Sequence, residues 1–181
     1  MKIPPPPPGL PRHLRRWYLL IAALVSAAAA ATAPMCPVRD AAGRPLWRLD
    51  TVHDGDTVTC LDPAGRRHKI RLVGIDAPEH GQPSGDASRS ALAAKLAGHG
   101  IRVDGEAYDQ HGRLLGRLFV ADRDINRELV AEGWAWAFGG FSPAEDLVAA
   151  EAAARRDKRG LWADPRPMSP AEWRRLHPPH R

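Results

Sequence analysis

Alternating apolar and polar positions between residues 46 and 75 predict three consecutive β-strands. These strands cover residues 46–52, 57–61 and 69–75, and residues 62–65 form a turn between the second and third. A helix is predicted over residues 86–98, where Leu92 and Leu96 lie four positions apart in a run of small residues. Two further strands, 101–105 and 114–121, follow it, so the pattern predicts a meander, a helix and two more strands.

The last part of the domain is predicted to be helical. Asp124 can cap a helix whose Ile125 and Leu129 face inward and which ends at Gly133. Residues 142–145 read Ser-Pro-Ala-Glu, a capping box that predicts a second terminal helix from 143 to about 159. Together these elements predict an α+β fold: a five-stranded β-barrel of the oligonucleotide-binding (OB) type with three helices. The strand count alone does not distinguish this barrel from other α+β folds.

The first 33 residues differ in composition from the rest of the 181-residue chain. They contain a five-proline run, several arginines and an apolar stretch over residues 17–31, a pattern typical of a secretory signal peptide. The predicted organisation is a leader over 1–33, a linker over 34–45, one folded domain over 46–163 and a basic C-terminal tail over 164–181. We therefore expect an exported protein, periplasmic or secreted. An uncleaved leader that anchors the protein to the inner membrane is the alternative, although its apolar run is shorter than the roughly 20 residues that span a bilayer.

The net charge of +5 comes mainly from this leader. It holds four basic and no acidic residues, so the rest of the chain carries a net charge of +1. Residues 34–154 have 14 basic and 18 acidic side chains, whereas residues 155–181 have eight and three. Overall basicity is therefore no argument for nucleic-acid binding.

The two cysteines, Cys36 and Cys60, both follow the leader. In an oxidising compartment such a pair is typical of one disulfide, here closing a loop of about 25 residues. Two unrelated thiols, with Cys60 as a small strand residue, are the alternative interpretation.

The acidic residues that could form a functional site lie in two motifs. These are His-Asp-Gly-Asp-Thr over residues 53–57 and Arg-Leu-Val-Gly-Ile-Asp-Ala-Pro-Glu over residues 71–79. Asp56 and Asp76 are candidate ligands for an oxygen-binding cation such as Ca²⁺. Pro78 favours an extended Ala77, whose carbonyl can complete that site. Glu79 is then a spare carboxylate, suited to act as a general base on a water molecule. Taken alone, an Asp-Gly pair is more commonly a turn.

Two arginines provide the complementary half of a phosphodiester-cleaving site. Arg71 begins the second motif, and Arg113 ends a third motif, Asp-Gln-His-Gly-Arg over residues 109–113. A guanidinium group can form paired hydrogen bonds with phosphate oxygens and stabilise charge that grows in the transition state. Taken alone, the 109–113 segment is also compatible with a hairpin turn carrying a solvated arginine.

The three motifs, in this order, resemble the staphylococcal nuclease family, the thermonucleases, and in particular its secreted bacterial members. The resemblance covers residues 46–162, and the endings Gly-Leu-Trp over 160–162 and Glu-Trp-Arg-Arg over 172–175 are also similar to secreted members. It implies an OB-fold barrel, dependence on Ca²⁺, and hydrolysis of DNA and RNA to products with 3′-phosphate ends.

By position, the resemblance makes the carboxylates of Asp56 and Asp76 and the carbonyl of Ala77 the cation ligands. It makes Glu79 the general base, and Arg71 and Arg113 the phosphate clamp. The tyrosines that line the nucleotide pocket of the family's best-known member have no clear counterparts in this sequence. Phe138 or Phe141 could instead stack on a base of the substrate.

Two other classes of function compete with a nuclease. A non-catalytic OB module would bind nucleic acid or a protein without cutting, but such modules typically lose one of the acids or arginines, and all are present here. A structural Ca²⁺-binding domain would leave both arginines without a role. The expected partners are DNA and RNA substrates, with a monomeric protein, no stable protein partner, and membrane contact only if the leader is uncleaved.

Overall fold

A closed β-barrel forms the body of the protein in the computed structural model, which describes residues 38–138 and 144–178. The strands are β1 (Trp47–Val52), β2 (Thr57–Leu61), β3 (Arg67–Leu72), β4 (Ile75–Asp76), β5 (Gly100–Asp104), β6 (Leu114–Val120), β7 (Arg123–Asp124) and β8 (Trp136–Ala137). Strands β1, β2 and β3 form an antiparallel meander, and β5 joins β1 to β6. A parallel pairing of β3 with β6 closes the barrel. This connectivity confirms the five-stranded OB-type barrel.

Four α-helices surround the barrel within the described ranges. They are α1 (Gly85–Leu96), α2 (Ile125–Ala131), α3 (Glu145–Arg156) and α4 (Pro170–Leu176), and a 3₁₀ turn covers Gly160–Ala163. Asp124 caps α2 by accepting a hydrogen bond from the Arg127 N–H at 3.1 Å, as predicted. The fourth helix lies in the segment predicted to be a basic tail, beyond the three helices expected. No helix in the described ranges is long and apolar enough to cross a bilayer.

The core is built from the inward-facing side chains of the strands and helices. Every second residue of β6 is buried, while Leu92 and Leu96 of α1 and Ile125 and Leu129 of α2 are completely inaccessible to solvent. Burying a large aliphatic side chain contributes on the order of 2 kcal/mol. The barrel is therefore a rigid support on which loop residues can be held.

A buried asparagine connects α2 to the strand end that leads into the second motif. Asn126 is fully buried, its Oδ1 accepts from the Leu118 N–H at 3.1 Å, and its Nδ2 donates to the Val73 carbonyl at 2.8 Å. Both bonds satisfy backbone groups that would be costly to leave unpaired. The turn at residues 73–74 is thereby fixed against the helix.

The predicted third strand, 69–75, is interrupted in the structure. Strand β3 ends at Leu72, and the chain turns through Val73 and Gly74 before the short β4 begins at Ile75. Gly74 adopts φ +77°, a left-handed conformation that favours glycine. This turn sends β4 away from the barrel to pair with β8, which places Asp76 opposite Trp136.

The boundaries of the other elements shift by a few residues. Helix α3 begins at Glu145, and residues 142 and 143 of the predicted capping box lie outside the described residues, as does the predicted leader. Helix α1 starts one residue earlier and ends two residues earlier than predicted.

Candidate active site

One pocket of about 290 Å³ brings together the predicted acids and arginines. Its lining consists of Asp54, Asp56, Thr57, Arg71, Asp76, Ala77, Glu79, Arg113, Phe138 and Arg174. A larger cavity, of about 490 Å³, lies near His99 and Asp122 and contains none of the predicted site residues. We therefore place the candidate site in the smaller pocket, because it holds the groups with complementary chemistry.

A close backbone contact fixes the first motif against the second. A Cβ atom on Gly55 would lie 1.9 Å from Ser88 Oγ and 2.7 Å from Ala77 Cβ, so no side chain fits there. The Asp54 carboxylate accepts a hydrogen bond from the Asp56 N–H at 2.9 Å, which holds the turn in shape. The glycine is therefore required for close approach rather than for an unusual backbone angle.

Asp56 is buried at the inner end of the pocket. Its Oδ2 accepts from the Ala77 N–H at 2.7 Å, and its Oδ1 accepts from the Thr57 hydroxyl at 3.0 Å. Burial raises the pKa of Asp56 to about 7, against the opposing effect of the nearby Arg71 guanidinium. The protein's own groups thus compensate the negative charge of this buried carboxylate only in part.

Arg71 joins the two predicted ligand acids. Its Nη1 lies 3.0 Å from Asp56 Oδ2 and its Nη2 lies 3.1 Å from Asp76 Oδ1. Nη1 also donates to the carbonyls of Leu72 at 2.9 Å and Ile75 at 3.0 Å. Because these partners are on β3, β4 and the turn before Thr57, this arginine holds the two motifs together.

Glu79 lies at the mouth of the same pocket, after the proline turn. Its backbone N–H donates to Gln82 Oε1 at 2.9 Å. Gln82 is buried, and its Nε2 donates to the carbonyl of Met168 at 2.7 Å. The turn that carries Glu79 is thus fastened to the C-terminal segment of the chain.

Arg113 is held by the turn that the third motif forms. Asp109 Oδ1 accepts from the Arg113 N–H at 3.0 Å, and Asp109 Oδ2 accepts from Arg113 Nε at 2.7 Å. The Arg113 backbone bond is the main reason that the pKa of Asp109 is lowered to about 2. Among the described residues these bonds use Nε and the backbone of Arg113, so both terminal NH₂ groups are left for a ligand.

Replacing Asp109 with alanine should reduce cleavage without removing any group from the pocket. The Arg113 guanidinium would lose its anchor, and misplacing a positioning group costs up to roughly 100-fold in rate. Steady-state cleavage of a labelled oligonucleotide by Asp109→Ala and by the neighbouring control Gln110→Ala tests this. Equal rates for the two variants would show that the turn does not position Arg113.

Other predicted residues fall partly outside the pocket or outside the described ranges. Phe138 is about half exposed and lines the pocket, whereas Phe141 lies in the segment 139–143, which is not described. Cys60 is fully buried in β2, and burial raises the pKa of its thiol to about 12. Cys36 lies outside the described residues, so the disulfide stays a prediction.

Arg174 is a residue of the pocket that sequence reasoning did not place there. It lies on α4, where Nη1 and Nη2 pair with the Asp76 carboxylate at 3.2 and 3.0 Å and Nη1 also lies 2.6 Å from Glu79 Oε1. The Ser-Pro-Ala-Glu sequence at 169–172 indicates a helix cap, and in the structure Ser169 Oγ accepts from the Glu172 N–H as an N-cap. Nothing in the sequence indicated that this helix reaches the pocket.

The donor set suits a hard divalent cation. No group of three or more His, Cys, Asp or Glu side chains in the described ranges is arranged to hold a metal. The candidate set instead combines two carboxylates, Asp56 and Asp76, with the Ala77 carbonyl, and such oxygen ligands with added waters are typical of Ca²⁺. Both carboxylates contact the same guanidinium group, that of Arg71, and line the same pocket.

Comparison with known proteins assigns the chain to a family. Residues 69–164 match the family model described as staphylococcal nuclease homologue. A protein of Haemophilus influenzae named uncharacterized endonuclease is 35% identical over 128 residues, which cover 71% of this chain and 72% of that protein. Protein ParB of Escherichia coli is 33% identical over 172 residues, 89% of this chain and 94% of its own length. A micrococcal nuclease of Shigella flexneri is 35% identical over 134 residues, 67% of this chain and 76% of that one.

The family match covers the second and third motifs, and the relatives extend well beyond them on both sides. Together with the closed barrel and the pocket, these similarities show that the chain belongs to the staphylococcal nuclease family and is a hydrolase of the nuclease type.

Proposed function

We propose that this nuclease hydrolyses phosphodiester bonds of DNA and RNA with the help of Ca²⁺ and leaves 3′-phosphate ends. The observation that carries the proposal is the convergence of Asp56, Asp76, Glu79, Arg71 and Arg113 on one pocket. The carboxylates of Asp56 and Asp76 and the carbonyl of Ala77 would hold the ion. When bound, Ca²⁺ supplies positive charge that polarises the phosphate and helps to hold the attacking water.

Glu79 is the general base in this proposal. It is the acid of the second motif that the Arg71 guanidinium does not bind, and its side chain is about one third exposed at the pocket mouth. It would take a proton from water as the water oxygen attacks phosphorus directly. The bond from phosphorus to the 5′-oxygen breaks, and that oxygen takes a proton from solvent, so one product ends in a 3′-phosphate and the other in a 5′-hydroxyl.

The arginines stabilise the charge that develops on the phosphate. Arg113 is anchored through Nε and can direct both NH₂ groups at non-bridging oxygens. Arg71 combines this task with holding the two acids, because its guanidinium already contacts both of them. Phe138, exposed at the rim, is the candidate for stacking on a base.

Purified protein should degrade labelled single-stranded DNA and RNA in Ca²⁺ and stop when a chelator is added. The 5′-hydroxyl ends that this mechanism leaves would accept label directly from polynucleotide kinase, without prior phosphatase treatment. Binding without cleavage in Ca²⁺ would identify a non-catalytic OB module instead. Cleavage that persists in chelator would remove the cation from the mechanism.

We also propose that the protein is exported. The support is the leader-like composition of residues 1–33, with its basic start and apolar run. Determination of the N-terminus of the native protein after cell fractionation tests this. An N-terminus near residue 34 means cleavage, Met1 in the membrane fraction means an anchored form, and Met1 in the cytoplasm contradicts export.

A further inference from the structure

The C-terminal helix α4 brings a third guanidinium group to the nuclease pocket. Arg174 makes a two-pronged ion pair with Asp76 and a further bond to Glu79, so it contacts one proposed ligand and the proposed base. Its side chain is 48% exposed, whereas that of Asp76 is 6% exposed. The guanidinium therefore covers the carboxylates from the solvent side.

The position of Arg174 is set by the fold around α4. Gln82 bonds the Met168 carbonyl, Ser169 caps the helix and Pro170 at its first position is buried. Arg175, the next residue, points elsewhere: its nearest acidic partner is Glu172 at 3.9 Å, and its side chain is 74% exposed. One of two adjacent arginines is thus aimed into the pocket.

The formal charge of the pocket favours a third guanidinium group during the reaction. Four carboxylates and three guanidinium groups line it, giving a formal charge of −1. A divalent cation changes this to +1, which one phosphodiester neutralises. As Glu79 takes the proton of the attacking water, negative charge moves onto the phosphate. Without Arg174 the pocket, the ion and the phosphate would together carry a net charge of −1.

A cation bound to Asp76 would also compete directly with Arg174. Arg174 already contacts both oxygens of the Asp76 carboxylate, and two positive charges at one carboxylate repel each other. The exposed guanidinium has solvent beside it, so it can turn from the carboxylates towards a phosphate that enters the pocket. Arginine is well suited to both partners, since carboxylate and phosphate accept the same paired N–H geometry.

We propose that Arg174 is a third substrate-binding arginine, which exchanges Asp76 for the phosphate of the nucleic acid when the cation binds. This inference rests on the proposed function and adds the C-terminal helix to the active site. If this exchange occurs, replacing Arg174 with alanine should change two affinities in opposite directions: the affinity for Ca²⁺ should rise and the affinity for the nucleotide should fall.

Isothermal titration of Arg174→Ala, Arg174→Lys, Arg175→Ala and wild type tests both predictions. The probes are Ca²⁺ alone and deoxythymidine 3′,5′-bisphosphate in saturating Ca²⁺, a nucleotide with phosphates but no internal diester to cleave. Arg174→Ala should bind Ca²⁺ alone severalfold more tightly, because a competing charge is gone. It should bind the nucleotide about tenfold to hundredfold more weakly, the effect of losing hydrogen bonds to a charged group. Arg174→Lys should lie between, and Arg175→Ala should match wild type.

Thermal unfolding in chelator establishes that each variant is folded before titration. Equal nucleotide affinity for Arg174→Ala and Arg175→Ala would overturn the proposal. Tighter Ca²⁺ binding with unchanged nucleotide affinity would also overturn it, because Arg174 would then only obstruct the ion site. Weaker nucleotide binding with unchanged Ca²⁺ affinity would also contradict the proposal, because Arg174 would then not compete with the cation for Asp76. If wild type fails to cleave DNA in Ca²⁺, the proposed function itself is wrong; if wild type cleaves and the two alanine variants agree, only this inference fails.

Discussion

Glu79→Gln should lose nearly all cleavage activity while keeping its affinity for single-stranded DNA in Ca²⁺. Glutamine has nearly the same shape but cannot accept the proton of the attacking water. General-base catalysis contributes roughly 10²–10⁴ in rate, so kcat should fall by about that factor. The Gln82 bond to the backbone of residue 79 does not involve the side chain, so the turn should persist.

Single-turnover cleavage together with fluorescence anisotropy on the same oligonucleotide separates chemistry from binding. Glu106→Gln is a matched control, because Glu106 is exposed and does not line the pocket. Cleavage by Glu79→Gln at the wild-type rate would remove Glu79 from the role of base. A loss of binding equal to the loss of rate would show that it acts in substrate affinity instead.

Arg71→Ala should impair both catalysis and stability. It would leave the buried carboxylates of Asp56 and Asp76 without their shared guanidinium and would remove one hydrogen bond from each of two backbone carbonyls. Breaking a buried charge pair by removing one partner costs about 3–5 kcal/mol in the free energy of unfolding. The contact between the first motif, which carries Asp56, and the second, which carries Asp76, would be the most weakened.

The instability of Arg71→Ala in chelator should increase with pH. The folded-state pKa of Asp56 is already about 7 against an ordinary 3.8, and loss of Arg71 would raise it further. A native state that binds more protons than the unfolded state loses stability as pH rises between the two pKa values. The difference from wild type should therefore be larger at pH 8 than at pH 5.

Urea unfolding at both pH values, with chelator and with Ca²⁺, measures these effects. Ca²⁺ should restore more stability to Arg71→Ala than it adds to wild type, because the ion replaces the missing positive charge beside the two acids. Lys69→Ala on the same face of β3 is the control, since Lys69 is exposed and outside the pocket. If Arg71→Ala unfolds like Lys69→Ala under all conditions, Arg71 does not hold the motifs together.

Local sequence patterns were sufficient to predict most strands of the barrel. Strand β2 matches its predicted bounds, and the Asp124 cap with inward Ile125 and Leu129 was correct, because alternation and capping depend on neighbouring residues. The third strand was predicted to end at residue 75, whereas it ends at Leu72. Its apolar residues continue past Leu72, and only the left-handed Gly74 and the pairing of β4 with β8 interrupt it.

The sequence by itself determined the family, the barrel and an inventory of two ligand acids, a spare carboxylate and two arginines. Each of these depends on residue type and order along the chain. Only the tertiary structure decided that Arg71 spans both acids, that Gly55 packs against Ala77 and Ser88, and that Arg174 belongs to the pocket. Arg174 lies 98 residues after Asp76, and no local pattern can encode a contact that exists only because α4 docks beside the Glu79 turn through Gln82 and Met168.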